Sequence, residues 1–467
     1  MKTVIWWIRR DLRLADNQAL AEALRQANTV IPVFILDPKL WSSEFVGPAR
    51  LGFLLDGLRA LDASLRERGS RLILRKGDPL EVLRALCQES LAEGIFAEED
   101  YSPYARQRDE KIALSLPLNL VPGVTIFPPQ ILTKANGEPY TVFTPFSRLW
   151  RSLPVSSSPL PAPEHLPIVP ELLSLDIPAQ PKHPTDSFFR AGETEAQRRL
   201  TYFTDSNITQ YARTRNRMDL EGTSQLSPFL RLGMLSARQA VWAARQASEA
   251  AVKPEDRDSV ETWLNELIWR EFYSTILYYF PFVRGKAFKA NLRQILWRNN
   301  PADFSAWKAG LTGYPVVDAA MRQLNATGWM HNRARMITAS FLTKDLLIDW
   351  REGERFFMQQ LLDGDPASNN GGWQWTAGTG TDAAPYFRVF NPILQGKKFD
   401  PEGDYVRKWV PELKNVPINY LHAPWEMSLE VQKQMGCIIG HDYPDLIVDH
   451  AMARKRVLLV YRGQSQD

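Results

Sequence analysis

Cysteine is nearly absent from this sequence: Cys87 and Cys437 are the two in 467 residues, far apart and outside any C-x-x-C spacing. A disulfide framework and a zinc site are therefore not expected, and a reducing cytoplasm is the default compartment. Long apolar runs are missing too. The opening MKTVIWWIRRDLRLADNQAL interrupts its apolar stretch with Arg9, Arg10, Asp11 and Arg13, which fits neither a signal peptide nor a membrane span. No other stretch is long and apolar enough to span, so no membrane partner is expected. Neither sign of charge dominates, since 56 Lys and Arg against 53 Asp and Glu leave +3. Charge attracts phosphates only where it clusters, so a nucleic-acid partner has to be argued from a local site. No G-x-G-x-x-G turn follows the first apolar run, which removes the usual dinucleotide fingerprint.

What is present divides into three stretches. Residues 1–130 alternate β-rich runs (VIWWI, TVIPVFIL, RLILR, GIFAE, VTIF) with helix-like segments, a pattern that predicts an α/β domain with a doubly wound parallel sheet. Leu51, Leu54, Leu55, Leu58, Leu61 and Leu65 form one apolar stripe of a helix against that sheet. Residues 131–192 connect. Between Pro154 and Pro184 they carry nine prolines together with Ser156, Ser157 and Ser158, which reads as a surface linker that packs no core. Residues 193–467 carry helical periods with few strand signals and predict a mainly α-helical domain.

Aromatic residues stand out. Eight of the 15 tryptophans (Trp263, Trp269, Trp297, Trp307, Trp329, Trp350, Trp373 and Trp375) fall between 263 and 375, where a large aromatic core is the plain reading. Polar groups interleave with them. In EGTSQLSPFLRLG, Thr223, Ser224 and Ser227 precede a helix starting near Pro228, an arrangement that suits a diphosphate or an ordinary Ser cap. In WLNELIWRE, helical spacing puts Trp263, Glu266 and Arg270 on one face with Trp269 at its edge, as either a buried ion pair or a polar pocket. In LLDGDPASNNGGWQW, Asp363, Asp365 and Asn369 sit among glycines. No histidine or third carboxylate lies at ligand spacing, so a ribose or ring edge fits better than a metal, and Asp365 before Pro366 also reads as a helix start. GWMHNRARM adds His331, Asn332, Arg333 and Arg335, either as core or as a pocket wall.

Taken in order, YARTRNR, EGTSQLSP, WLNELIWRE, GYPVVDAAMRQL, GWMHNRARM and DGDPASNNGGWQW resemble the photolyase/cryptochrome family, within it the class I cyclobutane pyrimidine dimer photolyases. WWIRRDLRLADN and FTPFSRLW extend the resemblance over nearly the whole chain except the linker. It implies FAD in the helical domain, its diphosphate at Thr223, Ser224, Gln225, Leu226 and Ser227, with Tyr211, Trp263 and Arg270 in the same pocket. It further implies that Asp363, Asp365 and Asn369 contact the flavin, that Arg335 pairs with the nearby carboxylate, and that Asn332 lies beside flavin N5 and favours the reduced anion. Glu266, Trp269, Met336 and Trp375 match the dimer pocket, while Arg215, Arg333, Gln395 and Lys398 match or neighbour positions facing the DNA. Trp373, Trp350 and Trp297 match a tryptophan chain that carries an electron inward.

The activity so implied is light-driven repair of cyclobutane pyrimidine dimers in single- or double-stranded DNA by a cytoplasmic monomer, nucleoid-associated when bound. A cryptochrome-type receptor is the alternative. Asn332, the intact Glu266, Trp269 and Trp375 set and the lack of a long tail after the last helical segment weigh against it. For a second, antenna chromophore, Tyr104 and Ala105 depart from the folate-binding pattern, whereas Arg50 and Asp100 resemble positions of deazaflavin-binding members, so a deazaflavin or flavin is expected.

Overall fold

The computed structural model describes residues 2–155, 158–182 and 188–463; Ser156, Ser157 and Pro184 of the expected linker lie outside them. The chain forms two compact units. The first comprises Met1–Ala212, Thr223–Pro281 and Leu362–Ser368, and the second Arg213–Gly222, Phe282–Leu361 and Asn369–Asp467.

In the first unit, strands β1 (Thr3–Ile8), β2 (Thr29–Leu36), β3 (Ile73–Lys76), β4 (Gly94–Glu98) and β5 (Leu118–Val121) pair in parallel in the order β3-β2-β1-β4-β5. This is the expected doubly wound sheet, and its order reverses between β1 and β4. Helices α1 (Gln18–Gln26), α2 (Pro48–Arg66), α3 (Pro79–Ser90) and α4 (Pro103–Ala113) make the crossovers. Asn17 Oδ1 accepts from the Leu20 amide to start α1, and Asp78 Oδ1 does the same for α3 through Leu80. The buried stripe on α2 is narrower than expected: Leu55, Leu58, Leu61 and Leu65 are buried, while Leu51 and Leu54 are half-buried.

Two further expectations change. VTIF is not a strand; LNLV, just before it, supplies β5. Pro122 and Gly123 end the sheet there, and the VTIF backbone turns instead to side chains of a later helix. The proline-rich segment also contributes to the core. Val169 is buried in the sheet's apolar cluster with Leu172 packed against it. The physical reason is edge pairing: Leu175 N donates to Leu74 O and Leu74 N to Ser174 Oγ, so an extended segment without helix docks along β3.

The same unit continues through α5 (Phe143–Ser152), α6 (Glu193–Ser206), α7 (Ser227–Leu232), α8 (Ala237–Ala250) and α9 (Pro254–Tyr279). Ser236 and Gln239 form a capping box on α8. Along α9, Leu264, Leu267, Ile268, Phe272 and Ile276 are buried, and Glu271 lies among them. Its carboxylate accepts from the Ile126 amide and from Trp150 Nε1, while Arg270 Nη1 donates to Val124 O at 3.0 Å. Two adjacent residues of α9 thus hold the VTIF backbone and α5.

The second unit is helical: α10 (Pro301–Ala309), α11 (Pro315–Thr327), α12 (Asn332–Ser340), α13 (Trp350–Gln360), α14 (Pro366–Ala377, whose first residues belong to the first unit), α15 (Pro392–Phe399), α16 (Asp404–Trp409) and α17 (His450–Gly463). Its core gathers Trp307, Leu324, Ile337, Trp350, Phe357 and Trp373. No helix among the described residues is long and apolar enough to cross a membrane.

Burial pushes the Glu271 carboxyl up to about 7 despite its two donors. A carboxyl with a raised native pKa stabilises fully below its unfolded pKa, and that contribution is lost as pH rises through the native value. Glu271→Gln removes the titration. Its stability relative to the parent chain should therefore improve by about 1–3 kcal/mol between pH 5 and pH 8, read from urea midpoints; a difference independent of pH would show that Glu271 stays ionised throughout.

Candidate functional site

The first unit brings together most of the residues assigned to a cofactor. Thr223, Ser224 and Gln225 lie in an irregular stretch, with Gln225 at φ +52°, and α7 begins at Ser227 with no side-chain cap on it. The ordinary Ser-cap reading therefore does not apply, and the first amides of α7 have no side-chain acceptor. Trp263 is buried and points its Nε1 at Ser224 Oγ, 3.4 Å away. Its ring packs on Phe203, which meets Tyr211 edge-on at 5.8 Å.

Arg270, one turn beyond Glu266 on α9, makes its hydrogen bond to Val124 O and has no ion-pair partner among the described residues. Desolvation lowers its pKa, and Arg10 lowers it further. Asp365, Glu271 and Asp100 act on it only at a distance, and a desolvated guanidinium without a bonded carboxylate fits an anionic group. Trp269 is half-buried and lies flat on Phe143, centroids 3.7 Å apart and planes within 3°. One face of this indole is thus fixed by a residue of FTPFSRLW.

The Asp363–Asp365 turn is held by arginines. Asp365 Oδ1 accepts from the amides of Ala367 and Ser368, both at 3.0 Å, and caps α14 as a helix-start reading requires. Its Oδ2 accepts from Arg10 Nη2 at 2.8 Å. Burial alone raises this carboxyl, but Arg10, then Arg231 and Arg270, outweigh it and bring it down to about 2. The Gly364 carbonyl accepts from Arg231 Nε at 2.8 Å and Arg50 Nη1 at 3.1 Å. Arg50 is buried and also donates to Phe45 O, while Asp100 accepts from the Ser102 amide and faces Arg10 Nη1 at 3.4 Å. The two residues expected at an antenna site are thus engaged within the protein around this turn.

In the second unit, His331 caps α12 through Nδ1, which accepts from the Arg333 amide at 3.1 Å. Desolvation, then Arg333 and Arg335, lowers its pKa to about 4, so it is a neutral structural cap. Asn332 is the exposed first residue of α12, with Nδ2 3.9 Å from Met336 Sδ one turn on. Arg333 donates twice to Asn216 Oδ1, at 3.2 and 2.6 Å, and its guanidinium stacks 4.4 Å from the Phe399 ring. Desolvation, then Arg215 and Arg388, brings it down to about 10. These three arginines form a cationic cluster; Gln395 and Lys398 lie on α15. Arg335 Nε donates to Met330 O at 2.8 Å. Asn369 Nδ2 donates to Glu354 O at 3.0 Å, which leaves its Oδ1 as the acceptor it presents.

Trp373 and Trp350 are buried and Trp297 is half-buried, as is Trp375. Trp373 meets Phe357 and Trp307 edge-on at 5.0 and 6.2 Å. Trp297 meets Tyr461 at 6.4 Å. Gly353 is required here, since an added Cβ would lie 2.1 Å from the Trp373 ring.

Sequence reasoning missed Glu271, Arg10, Arg231, Asn216 and Arg388. Glu271 had a signal, a charge on the apolar stripe of α9; Arg10 had one in the charge run that follows β1. Asn216 lies inside YARTRNR with nothing to mark its role, and Arg388 had no signal. Among the described residues no group of three or more His, Cys, Asp or Glu is placed to hold a metal ion.

Comparison with known proteins completes the description. Residues 4–164 match the DNA photolyase family model, and residues 263–463 match the FAD binding domain of DNA photolyase. The deoxyribodipyrimidine photo-lyase of Escherichia coli (strain K12) is 42% identical over 481 residues, covering 99% of both chains. Among solved structures, a class III photolyase from Agrobacterium tumefaciens matches with TM-score 0.93 and 38% identity over 100% of this chain and 98% of that one. A cryptochrome from Synechocystis sp. PCC6803 matches with TM-score 0.90 and 31% identity, over 98% and 99%. With both of its halves matched and its full length shared at this identity, the chain belongs to the DNA photolyase family.

Proposed function

We propose that this chain splits cyclobutane pyrimidine dimers in DNA with FAD and blue or near-ultraviolet light. The observation that carries the reading is its full-length likeness to a deoxyribodipyrimidine photo-lyase at 42% identity. FAD, when bound in its reduced form, supplies the light-excited electron donor. Everything else is the work of side chains.

The desolvated Arg270, bonded to a carbonyl and to no carboxylate, and the uncapped amides at the start of α7 suit a diphosphate, with Thr223, Ser224, Gln225, Leu226 and Ser227 around it and Tyr211 and Trp263 beside it. Asp363, Asp365 and Arg335 are assigned to the flavin and its sugar. Of the two amides, Asn369 has its orientation fixed by Glu354 O, whereas Asn332 is exposed. A fixed acceptor suits a ring nitrogen better, so Asn369 is the preferred neighbour of N5 and Asn332 a further contact.

A dimer within a duplex must be rotated out, at a cost of a few kcal/mol that is least for a distorted pair. Stacking on aromatic side chains returns about 1–3 kcal/mol per base. Trp269 and Trp375 are the proposed walls, Glu266 the hydrogen-bonding group at the pyrimidine edge, and Met336 an apolar contact. Arg215 and Arg333, joined by Arg388, together with Gln395 and Lys398, are assigned to backbone phosphates, which gives affinity without sequence preference. Trp297, Trp350 and Trp373 are the proposed route for an electron toward the flavin. A deazaflavin or flavin antenna belongs at the carboxyl ends of β1 and β4, where open α/β sheets take ligands. The proposed agent is a cytoplasmic monomer that works on single- or double-stranded DNA.

The first test is repair of a single-stranded thymine-dimer oligonucleotide by chemically reduced protein under blue light and in darkness, scored by restored thymine absorbance. Restoration in light alone is expected. None, with FAD bound, would favour the receptor reading carried by the likeness to a cryptochrome.

Three variants apportion the roles. Glu266→Ala should lower repair yield and weaken binding of dimer-containing DNA by roughly tenfold, about the 1.5–3 kcal/mol of a hydrogen bond to a charged group discounted for exposure. Trp373→Phe should slow photoreduction of oxidised flavin at least about tenfold while chemically reduced enzyme repairs normally; photoreduction at the parent rate removes Trp373 from the route. Arg270→Gln should purify with substantially less FAD, and full retention would place the diphosphate elsewhere.

A further inference from the structure

The charge run after β1 was left without a role by the functional reading, yet it supplies the side chain on which the Asp363–Asp365 turn depends. Arg10 bridges two carboxylates, Asp365 Oδ2 at 2.8 Å and Asp100 Oδ1 at 3.4 Å, and its Nε reaches Arg231 O at 3.3 Å. Arg231 and Arg50 then converge on one carbonyl, that of Gly364, at 2.8 and 3.1 Å. Three guanidiniums from three separate stretches of the first unit therefore grip two consecutive residues, Gly364 and Asp365.

This is a costly way to fold a turn. Buried ion pairs contribute little net stability over apolar packing, and their best-attested use is to fix one geometry. Arg231 and Arg50 carry the cost visibly, since burial brings their guanidiniums down to about 9 and about 10. A simple helix start needs only Asp365 Oδ1, which already caps α14. The grip on Oδ2 and on the Gly364 carbonyl is therefore additional, and it fixes the rotation of the Asp365 carboxylate and the path of the backbone beside Asp363.

We propose that Arg10, Arg50 and Arg231 are positioning residues that hold the Asp363–Asp365 turn in the shape in which it meets the flavin. This rests on the assignment of that turn to the flavin. It gives the sheet a function besides carrying an antenna: residues at the ends of β1 and β4 set the flavin's surroundings. It also gives Arg50 and Asp100, engaged with Gly364 and Arg10, a role that holds whichever antenna is bound.

The test uses purified full-length holoprotein and two readouts, the rate of FAD release on dilution and the vibronic fine structure of the bound flavin's absorption. Arg10→Gln and Arg231→Gln should each speed release about tenfold and blur the fine structure, because a mobile turn presents the ring with several environments. Arg10→Lys keeps the charge but loses the two-carboxylate bridge, and should recover part of both signals; it also serves if the glutamine variants fold poorly. Leu83→Ala, in the sheet's core and remote from the turn, is the control for stability loss alone. It should destabilise comparably while release changes less than twofold.

Release and spectra at parent values in both glutamine variants would overturn the clamp, as would a Leu83→Ala variant that loses FAD equally fast. Asp365→Asn separates the two levels of the argument. If it speeds release while Arg10→Gln does not, only the clamp falls. If it too leaves FAD undisturbed, the flavin assignment of the turn falls and the clamp falls with it.

Discussion

Taking a guanidinium out of water costs several kcal/mol unless carboxylates and carbonyls meet it, and the first unit draws Arg10, Arg13, Arg50 and Arg231 inward. Each is met from more than one side. Arg13 pairs with Glu98 and donates to the Asp16 and Gly233 carbonyls, while Arg10 pairs with Asp100 and Asp365. Such networks are satisfied in very few arrangements, so they select a conformation more than they stabilise one. The irregular stretch from Arg9 to Asn17 follows from this. Asp11 accepts from Trp6 Nε1, the Arg9 amide and Asn17 Nδ2, and Gly233 at φ +67° packs so closely on the Arg10 carbonyl that a Cβ would lie 1.7 Å from it. A loop without regular structure is thereby held at several points along its length.

The second unit solves a different problem with different material. An electron path through protein needs rings in contact, held rigidly and shielded from water. A core built from tryptophan and phenylalanine supplies all three while stabilising the fold by burial. Trp373 packs between Phe357 and Trp307, with Gly353 cleared to admit its ring, so the tryptophan proposed to conduct is also a core residue. The same packing serves a core tryptophan and a conducting one.

How far the sequence could be read tracks how local each signal was. The parallel sheet, its helices and the helical character of the later residues follow from periodicity, which is a property of short windows. VTIF has strand composition but no strand, because Glu271 and Arg270 bind its backbone from 145 and 146 positions away. The proline-rich segment reads as surface linker, yet Val169 enters the core because β3 is an edge with unpaired groups to satisfy. The candidate site behaves similarly. Trp263, Arg270, Asp365 and Arg333 draw roles from their motifs, whereas Asn216, which orients Arg333, and Arg10, which orients Asp365, sit inside quoted motifs that give no sign of those partners. Motifs name the groups that meet a ligand. The groups that aim them depend on contacts that spacing does not encode.

That distinction bears on repair against signalling, which the fold cannot decide, because a cryptochrome and a photolyase match it at TM-scores of 0.90 and 0.93. The choice rests on what the side chains cost. Trp269 lies half-exposed, one face flat on Phe143, and an indole left partly in water forgoes some of the burial that would stabilise the fold, at about 25 cal/mol for each Å². A fold that needed only to hold FAD gains nothing by that exposure. A fold that must receive an extruded base recovers it on each binding event, because stacking on a preset ring requires no reordering. Glu266, on the same helix face, is the group proposed to meet the edge of such a stack. An aromatic plate and a carboxylate on one rigid helix are the arrangement that base recognition demands and that light reception alone leaves without purpose.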